Sequence, residues 1–499
     1  MTPAWRQIRD GSRAAHQAFM AARADPAAAQ RTLLARILRD NAGTAFGHAH
    51  GFDGIDSYEA YRAAVPIRGY EGFREDIDAM AAGGRGRLVA EPLLAFERTG
   101  GTTSGGKLVP LGQSALDSFA AAVLPMLHDL TTRLPGATAG RLYASISPAT
   151  RAPEITAAGL PVGLGSDAAY LGALAAPFAA LLAVPPELGA ITAIDDWRLA
   201  TLTHLLEAED LSFVSIWSPS FFTALIDALP GLAETLAPRL TPAARSRFEN
   251  WLAAGAGATT AHLWPRLAAI STWTDAGSAP FAAQLARACP QAVLAPKGVI
   301  ATEGAITVPL GDGPGAFPAL TSSVVEFRVP GTDTFMLADA LTPGTLYDAI
   351  LTTPGGFYRY DIGDRFRCVA IDHGCPRLTF EGRAGVVSDM VGEKLDEGFV
   401  ARVLAGLDGP ARLEAHDGPP PHYRLVLGRN MPAPDLAALD RALSANPQYA
   451  YARRMGQLAP LAFAGVALDP ASEAADRART GQRLGDAKPV VLVPRARPR

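Results

Sequence analysis

The chain has 499 residues, 48% hydrophobic and 19% charged, which suits a folded globular protein and excludes a disordered or coiled-coil chain. Its 45 basic and 49 acidic residues leave a net charge of −4, so no bulk positive charge exists to gather nucleic acid. Three cysteines (Cys289, Cys368 and Cys375) are too few for a disulfide framework or a four-thiolate zinc site, and they point to a reducing, cytoplasmic setting.

Arg6, Arg9, Asp10 and Arg13 interrupt the start before a signal peptide's apolar stretch could form, which predicts a chain without a secretory leader. Gln30 to Asp40 places Leu33, Leu34, Ile37 and Leu38 on one helical face and stops at Asn41-Ala42-Gly43. Leu93 to Phe96 reads as a short buried strand running into the Gly- and hydroxyl-rich stretch Thr99 to Lys107. A helix is predicted from Ser114, with Asp117 as a capping-box-like partner. The longest uncharged run, Ala168 to Pro186, is Ala-rich and broken by Pro177, so it predicts a buried helix pair rather than a membrane span. Phe213 to Trp217 and Ala268 to Trp273 are strand-like, while Ser218-Pro219 and Thr241-Pro242 each set a cap residue before a proline at the first helical position.

Leu346 to Val369, broken by Pro354-Gly355-Gly356, predicts a hairpin or sheet edge. Beyond Gly382-Arg383 the texture becomes a compact α+β tail. The expected fold is therefore α/β, with mixed sheets and helices in a large first domain, 1–382, and a small second one, 383–499.

Of the 45 basic residues only Lys107, Lys297, Lys394 and Lys488 are lysine, leaving 41 arginines. A composition this partial to arginine makes each lysine a candidate for work that needs a compact, rotatable charge, such as meeting a phosphate or carboxylate. Lys107 closes the most distinctive local signal, Thr99-Gly100-Gly101-Thr102-Thr103-Ser104-Gly105-Gly106-Lys107. Consecutive glycines let backbone N–H groups converge on an anion, and hydroxyls add donors. The loop is not a Walker motif, because Leu108 rather than Ser or Thr follows Lys107, and its spacing is wrong for a hydrolase elbow. His48 and His50 form a His-x-His pair with no third ligand group evident, so no metal site is expected there. Asp361 reads as a solvated or capping acid.

The nine-residue loop resembles the phosphate loop of the adenylate-forming superfamily, with Thr99, Gly101, Thr102, Thr103 and Lys107 at matching positions and Ser104 within it. Three further stretches follow in that superfamily's order. Ala301-Thr302-Glu303-Gly304 resembles its Thr-Glu turn; Tyr358 to Asp364 (YRYDIGD) resembles its Tyr-Arg-x-Gly-Asp segment; Gly382-Arg383 with Gly392-Glu393-Lys394 resembles its interdomain hinge, Gly385 standing where an aspartate is usual. Over most of its length the chain is similar to one branch, the acyl acid amido synthetases named for plant auxin conjugation and their bacterial relatives. Leu38 to Phe52, Phe96 to Pro110, Ile216 to Ser220, Lys297 to Gly304, Asn446 to Tyr449 and Gly481 to Pro489 carry that likeness.

The resemblance implies an ATP- and Mg²⁺-dependent ligase that activates a carboxylic acid as an acyl-adenylate and passes it to an amine, most often an amino acid. It implies that Thr99, Gly101, Thr102, Thr103, Ser104 and Lys107 bind ATP phosphates, and that Thr302 meets the α-phosphate. Glu303 would be catalytic and hold the metal beside ATP, Asp364 would bind the ribose hydroxyls, Arg383 would bind ATP at the hinge, and Lys488 would bind ATP and be catalytic in adenylation from a mobile C-terminal domain. The Ala- and Leu-rich region Ile155 to Ile194 is the expected wall of the acyl pocket. A monomeric cytoplasmic enzyme with small-molecule partners, using neither nucleic acid nor membrane, is the corresponding expectation. The alternatives are an acyl-CoA ligase sharing the first step and a non-catalytic nucleotide-binding relative.

Overall fold

The architecture comes from a computed structural model, in which residues 1–99, 107–146, 154–164, 167–255, 258–383, 386–418, 420–469 and 490–494 are described. It is a mixed α/β structure with several sheets and flanking helices, as the sequence predicts. Two helices, Pro3–Ala24 and Pro26–Asn41, open the chain, each with proline at its first position. Asp25 caps the second, its carboxylate accepting from Ala28 N at 3.0 Å. The face built from Leu33, Leu34, Ile37 and Leu38 is buried, and helix Pro26–Asn41 ends where the Asn41-Ala42-Gly43 signal put it.

That face belongs to the largest apolar cluster, which also contains Val325, Phe327, Leu351, Tyr358 and Phe366. These residues lie on or beside an antiparallel sheet in the order Phe335–Met336, Val324–Arg328, Leu346–Thr352, Tyr360–Asp372, Cys375–Arg383. The Pro354-Gly355-Gly356 break does separate two antiparallel partners, Leu346–Thr352 and Tyr360–Asp372. Their register is interrupted: Asp348 pairs with Arg365 but Ile350 with Asp361, so the second strand carries two extra residues in a bulge.

A second sheet is wholly parallel, in the order Arg141–Ala144, Leu211–Ser215, Ala269–Thr272, Val293–Pro296. Helices such as Pro219–Ala228 and Ala279–Ala288 bury Phe222, Leu225 and Leu285 in the cluster that includes its strand residues Val214 and Ile270. The α+β tail has its own core of residues drawn from 395 to 492, around a four-stranded sheet ordered Ala462–Leu468, His422–Gly428, Ala411–His416, Leu492–Val493.

Three local readings need correction. Ala168 to Pro186 is not a buried helix pair: it holds a short 3-10 segment, Asp167–Leu174, and a one-turn α-helix, Ala175–Ala179, none of whose residues is buried, and the burial falls instead on Leu171, Leu181, Ala183 and Val184. Among the described residues no helix is long and apolar enough to cross a membrane. The helix expected at Ser114 spans Gln113–Arg133, preceded by an unforeseen strand, Leu108–Gly112. Its cap is not Ser114 with Asp117. Glu91, distant in sequence, accepts from Ser114 N at 3.1 Å, and Asp117 instead accepts from Gln113 Nε2 at 2.9 Å.

Candidate active site

Thr302 and Glu303 form the two-residue tip of a tight hairpin, Ile300–Ala301 paired antiparallel with Gly304–Ala305. Gly304 is required by crowding, because a Cβ there would lie 2.8 Å from the Thr353 Cγ2 methyl. Glu303 Oε1 accepts a hydrogen bond from the Tyr360 hydroxyl at 3.2 Å. Burial and the Glu303 charge together push the Tyr360 phenol above its ordinary pKa, so it acts as a donor.

Asp364 stands in the strand bulge. Gly363 adopts φ 77°, a left-handed conformation natural to glycine, and its N–H donates to Asp361 Oδ1 at 3.0 Å. Asp361 Oδ2 also accepts from Arg328 at 3.0 Å. Asp361 is therefore neither a free solvated acid nor a helix cap; it ties the bulge together. Asp364 itself is 0% exposed, and its Oδ1 accepts from Arg383 Nε at 3.2 Å across the neighbouring strand. Its Oδ2 is buried without any hydrogen-bond partner among the described residues. Burial would lower the Arg383 guanidinium, but the Asp364 and Glu303 carboxylates outweigh it and hold the pKa above its ordinary value. Glu303, Tyr360, Asp364 and Arg383 thus form one electrostatic neighbourhood.

The ends of the glycine loop are in place. Thr99 N donates to Lys107 O at 2.9 Å, and Lys107 N to Thr99 Oγ1 at 3.3 Å, closing the ladder between Leu93–Arg98 and Leu108–Gly112. The Lys107 ammonium lies 5.1 Å from the Tyr70 ring centroid. Gly101, Thr102, Thr103 and Ser104 lie outside the described residues, as do Gly385 and Lys488.

The other two lysines are also specifically placed. Lys297 follows the last strand of the parallel sheet and reaches Ser215 Oγ at 2.7 Å, with Trp217 beneath its ammonium at 4.8 Å. Lys394 has a positive φ of 45°, beside the fully buried Glu393, whose carboxylate accepts from Met390 N, Val391 N and the Tyr423 hydroxyl.

Arg359, from the same YRYDIGD stretch, turns away from the site. It pairs with the 0% exposed Glu326 at 3.1 Å and donates to Arg62 O and Val65 O. Tyr58 completes the Glu326 shell with a hydrogen bond at 3.0 Å.

A shallow cleft opens beside the hairpin tip, lined by Leu111, Phe119, Tyr170, Thr302, Glu303 and Phe357 among others. The Phe119 and Tyr170 ring centroids are 4.4 Å apart. Of the described residues in the Ile155 to Ile194 region, expected to form part of an acyl-pocket wall, only Tyr170 lines this cleft. Sequence reasoning missed Phe119, and its one available signal was position, on the second turn of the helix that follows the glycine loop.

Among the described residues no three His, Cys, Asp or Glu side chains gather as a metal cage. Glu303 suits Mg²⁺ in another way. Mg²⁺ is commonly held by one or two carboxylates and substrate phosphates, and here a single carboxylate oxygen lacks a hydrogen bond among the described residues.

Two sequence-family patterns match the chain: the GH3 family N-terminal domain over residues 15–244 and the GH3 family central domain over 324–383. A probable indole-3-acetic acid-amido synthetase of Oryza sativa subsp. japonica is 31% identical over 116 residues, covering 23% of this chain and 19% of that protein. A second from the same source is 36% identical over 103 residues, 19% and 16% respectively. The chain thus aligns with about a fifth of the length of these curated relatives. An acyl acid amido synthetase solved in complex with 2,4-DB superposes with a TM-score of 0.80 at 18% identity, covering 94% of this chain and 91% of that one. Another structure of that type gives 0.78 at the same identity and coverage. At this identity the likeness establishes the fold.

Proposed function

Because this chain belongs to the GH3 family, we propose that it is an AMP-forming ligase joining a carboxylic acid to an amine, with an amino acid as the favoured acceptor. In the first half-reaction a carboxylate oxygen attacks the α-phosphorus of ATP; the α–β phosphoanhydride bond breaks and pyrophosphate leaves. In the second, the amine nitrogen attacks the acyl carbon of the mixed anhydride; the C–O bond to AMP breaks and the nitrogen loses a proton. Neither step requires a protein nucleophile, so positioning and charge stabilisation are the protein's contribution.

The observation that carries this reading is Asp364, a buried carboxylate with one oxygen paired and the other without a partner among the described residues, beside Glu303 and Arg383. A carboxylate with spare acceptor capacity suits the vicinal hydroxyls of a ribose. On this reading Thr302 meets the α-phosphate, Glu303 holds Mg²⁺, and Arg383 balances the two carboxylates. Thr99, Gly101, Thr102, Thr103, Ser104 and Lys107 cradle the outer phosphates. The cleft holding Phe119 and Tyr170 takes the acyl group. Residues 383–499 form the small mobile domain that brings Lys488 to the reacting carboxylate. The enzyme would work as a cytoplasmic monomer.

Pyrophosphate release across a panel of acids, each with amino acids or CoA as acceptor, is the test. Acid-dependent release followed by amide formation is expected. Thioester formation instead would make the chain an acyl-CoA ligase, and no release with any acid would leave a nucleotide-binding relative. Lys488→Ala should lose about 10²–10³ in adenylation yet still convert a supplied acyl-adenylate and amine to amide.

A further inference from the structure

We propose that Tyr360 is a positioning residue that fixes the Glu303 carboxylate for a nucleotide-bound divalent cation, an inference resting on the nucleotide reading above.

Glu303 sits at the tip of a two-residue hairpin, where a carboxylate on three side-chain torsions would ordinarily sample several orientations. The Tyr360 hydroxyl is its one hydrogen-bond donor among the described residues, taking Oε1 at 3.2 Å and leaving Oε2 open. Tyr360 is unusually well held for this task. It is 2% exposed, and its ring rests against Phe357 at 4.8 Å and Phe73 at 6.1 Å between centroids. Its backbone is bracketed by Arg68 on one side and Leu351 on the other.

A rigid donor on one carboxylate oxygen restricts where the second can lie. Mg²⁺ demands near-octahedral oxygen geometry, so it gains from a ligand whose direction is set in advance. Outer-shell hydrogen bonds of this kind are typically worth 10–100-fold in metal affinity. The alternative is that Tyr360 merely fills the core between Phe357 and Phe73, a role its ring performs without the hydroxyl.

Tyr360→Phe separates the two. ATP binding would be followed by calorimetry on the full chain, in EDTA and then across a MgCl₂ series, with the thermal midpoint measured alongside. The expected result is an unchanged ATP affinity in EDTA, an unchanged midpoint, and a 10- to 100-fold rise in the MgCl₂ concentration giving half of the metal-dependent gain. Glu303→Gln should abolish that gain, and adding Tyr360→Phe to it should change nothing further. A Tyr360→Phe curve overlaying the wild type's would overturn the positioning role while leaving the nucleotide reading intact. Absence of any ATP binding by the wild type would overturn the nucleotide reading and this inference together.

Discussion

Two arginine–carboxylate pairs on one antiparallel sheet have opposite characters. Glu326 and Arg359 are both buried; Tyr58 and two backbone carbonyls supply further hydrogen bonds, and together they bind the segment 58–65 to the sheet. Asp364 and Arg383 form a pair with loose ends, one buried oxygen unpartnered among the described residues and an arginine side chain 49% exposed. Leaving a buried acceptor unmet costs free energy that the first pair avoids. A completed network serves the fold, whereas the uncompleted one has capacity to spare for a ligand.

The largest expected effect breaks the completed pair. Arg359→Ala strands the Glu326 charge in the core and should cost about 3–5 kcal/mol of folding stability, read from the denaturant midpoint. Asp364→Ala should instead cost about 1.5–3 kcal/mol of ATP affinity by calorimetric titration. Its effect on folding should stay below about 1 kcal/mol, since water can take over the half-exposed Arg383. If Asp364→Ala unfolds the protein while Arg359→Ala stays folded and loses ATP affinity, the assignment of the two pairs is reversed. Tyr58→Phe removes one donor from Glu326 and should cost about 1.5 kcal/mol of stability with ATP affinity untouched.

The sequence makes Glu303 and Asp364 readable as site candidates because their motifs are short and local, and chain order supplies the rest. It does not reveal that Arg359, five residues before Asp364, serves the core. That depends on a positive φ of 49°, which turns its backbone and is not encoded in residue type. The helix over Gln30 to Asp40 and the hairpin around Pro354 are legible because residue pattern and breaker agree. The Glu91 cap was not, since its partner lies 23 positions away at Ser114. Ala168 to Pro186 misled because low charge resembles burial, while its short turns leave Ala179 and Ala180 on the surface. The cleft wall at Phe119 and Tyr170 joins residues that only the folded chain brings together.

The two-residue bulge before Arg365 has a consequence for how this chain can be edited. Side chains along a strand alternate with a period of two, so an even insertion leaves parity intact on both sides. Tyr360, Ile362, Asp364, Phe366 and Cys368 are accordingly all buried, straight through the irregularity. Removing one residue there would invert everything upstream, swinging Tyr360 outward and Asp361 into the core. Removing two would restore an unbroken ladder and keep the core in phase while erasing the kink that presents Asp364. The Asp364 bulge is, in effect, a cassette spliced into an otherwise ordinary hairpin, separable from the core's alternation by an even-numbered deletion and by no odd one.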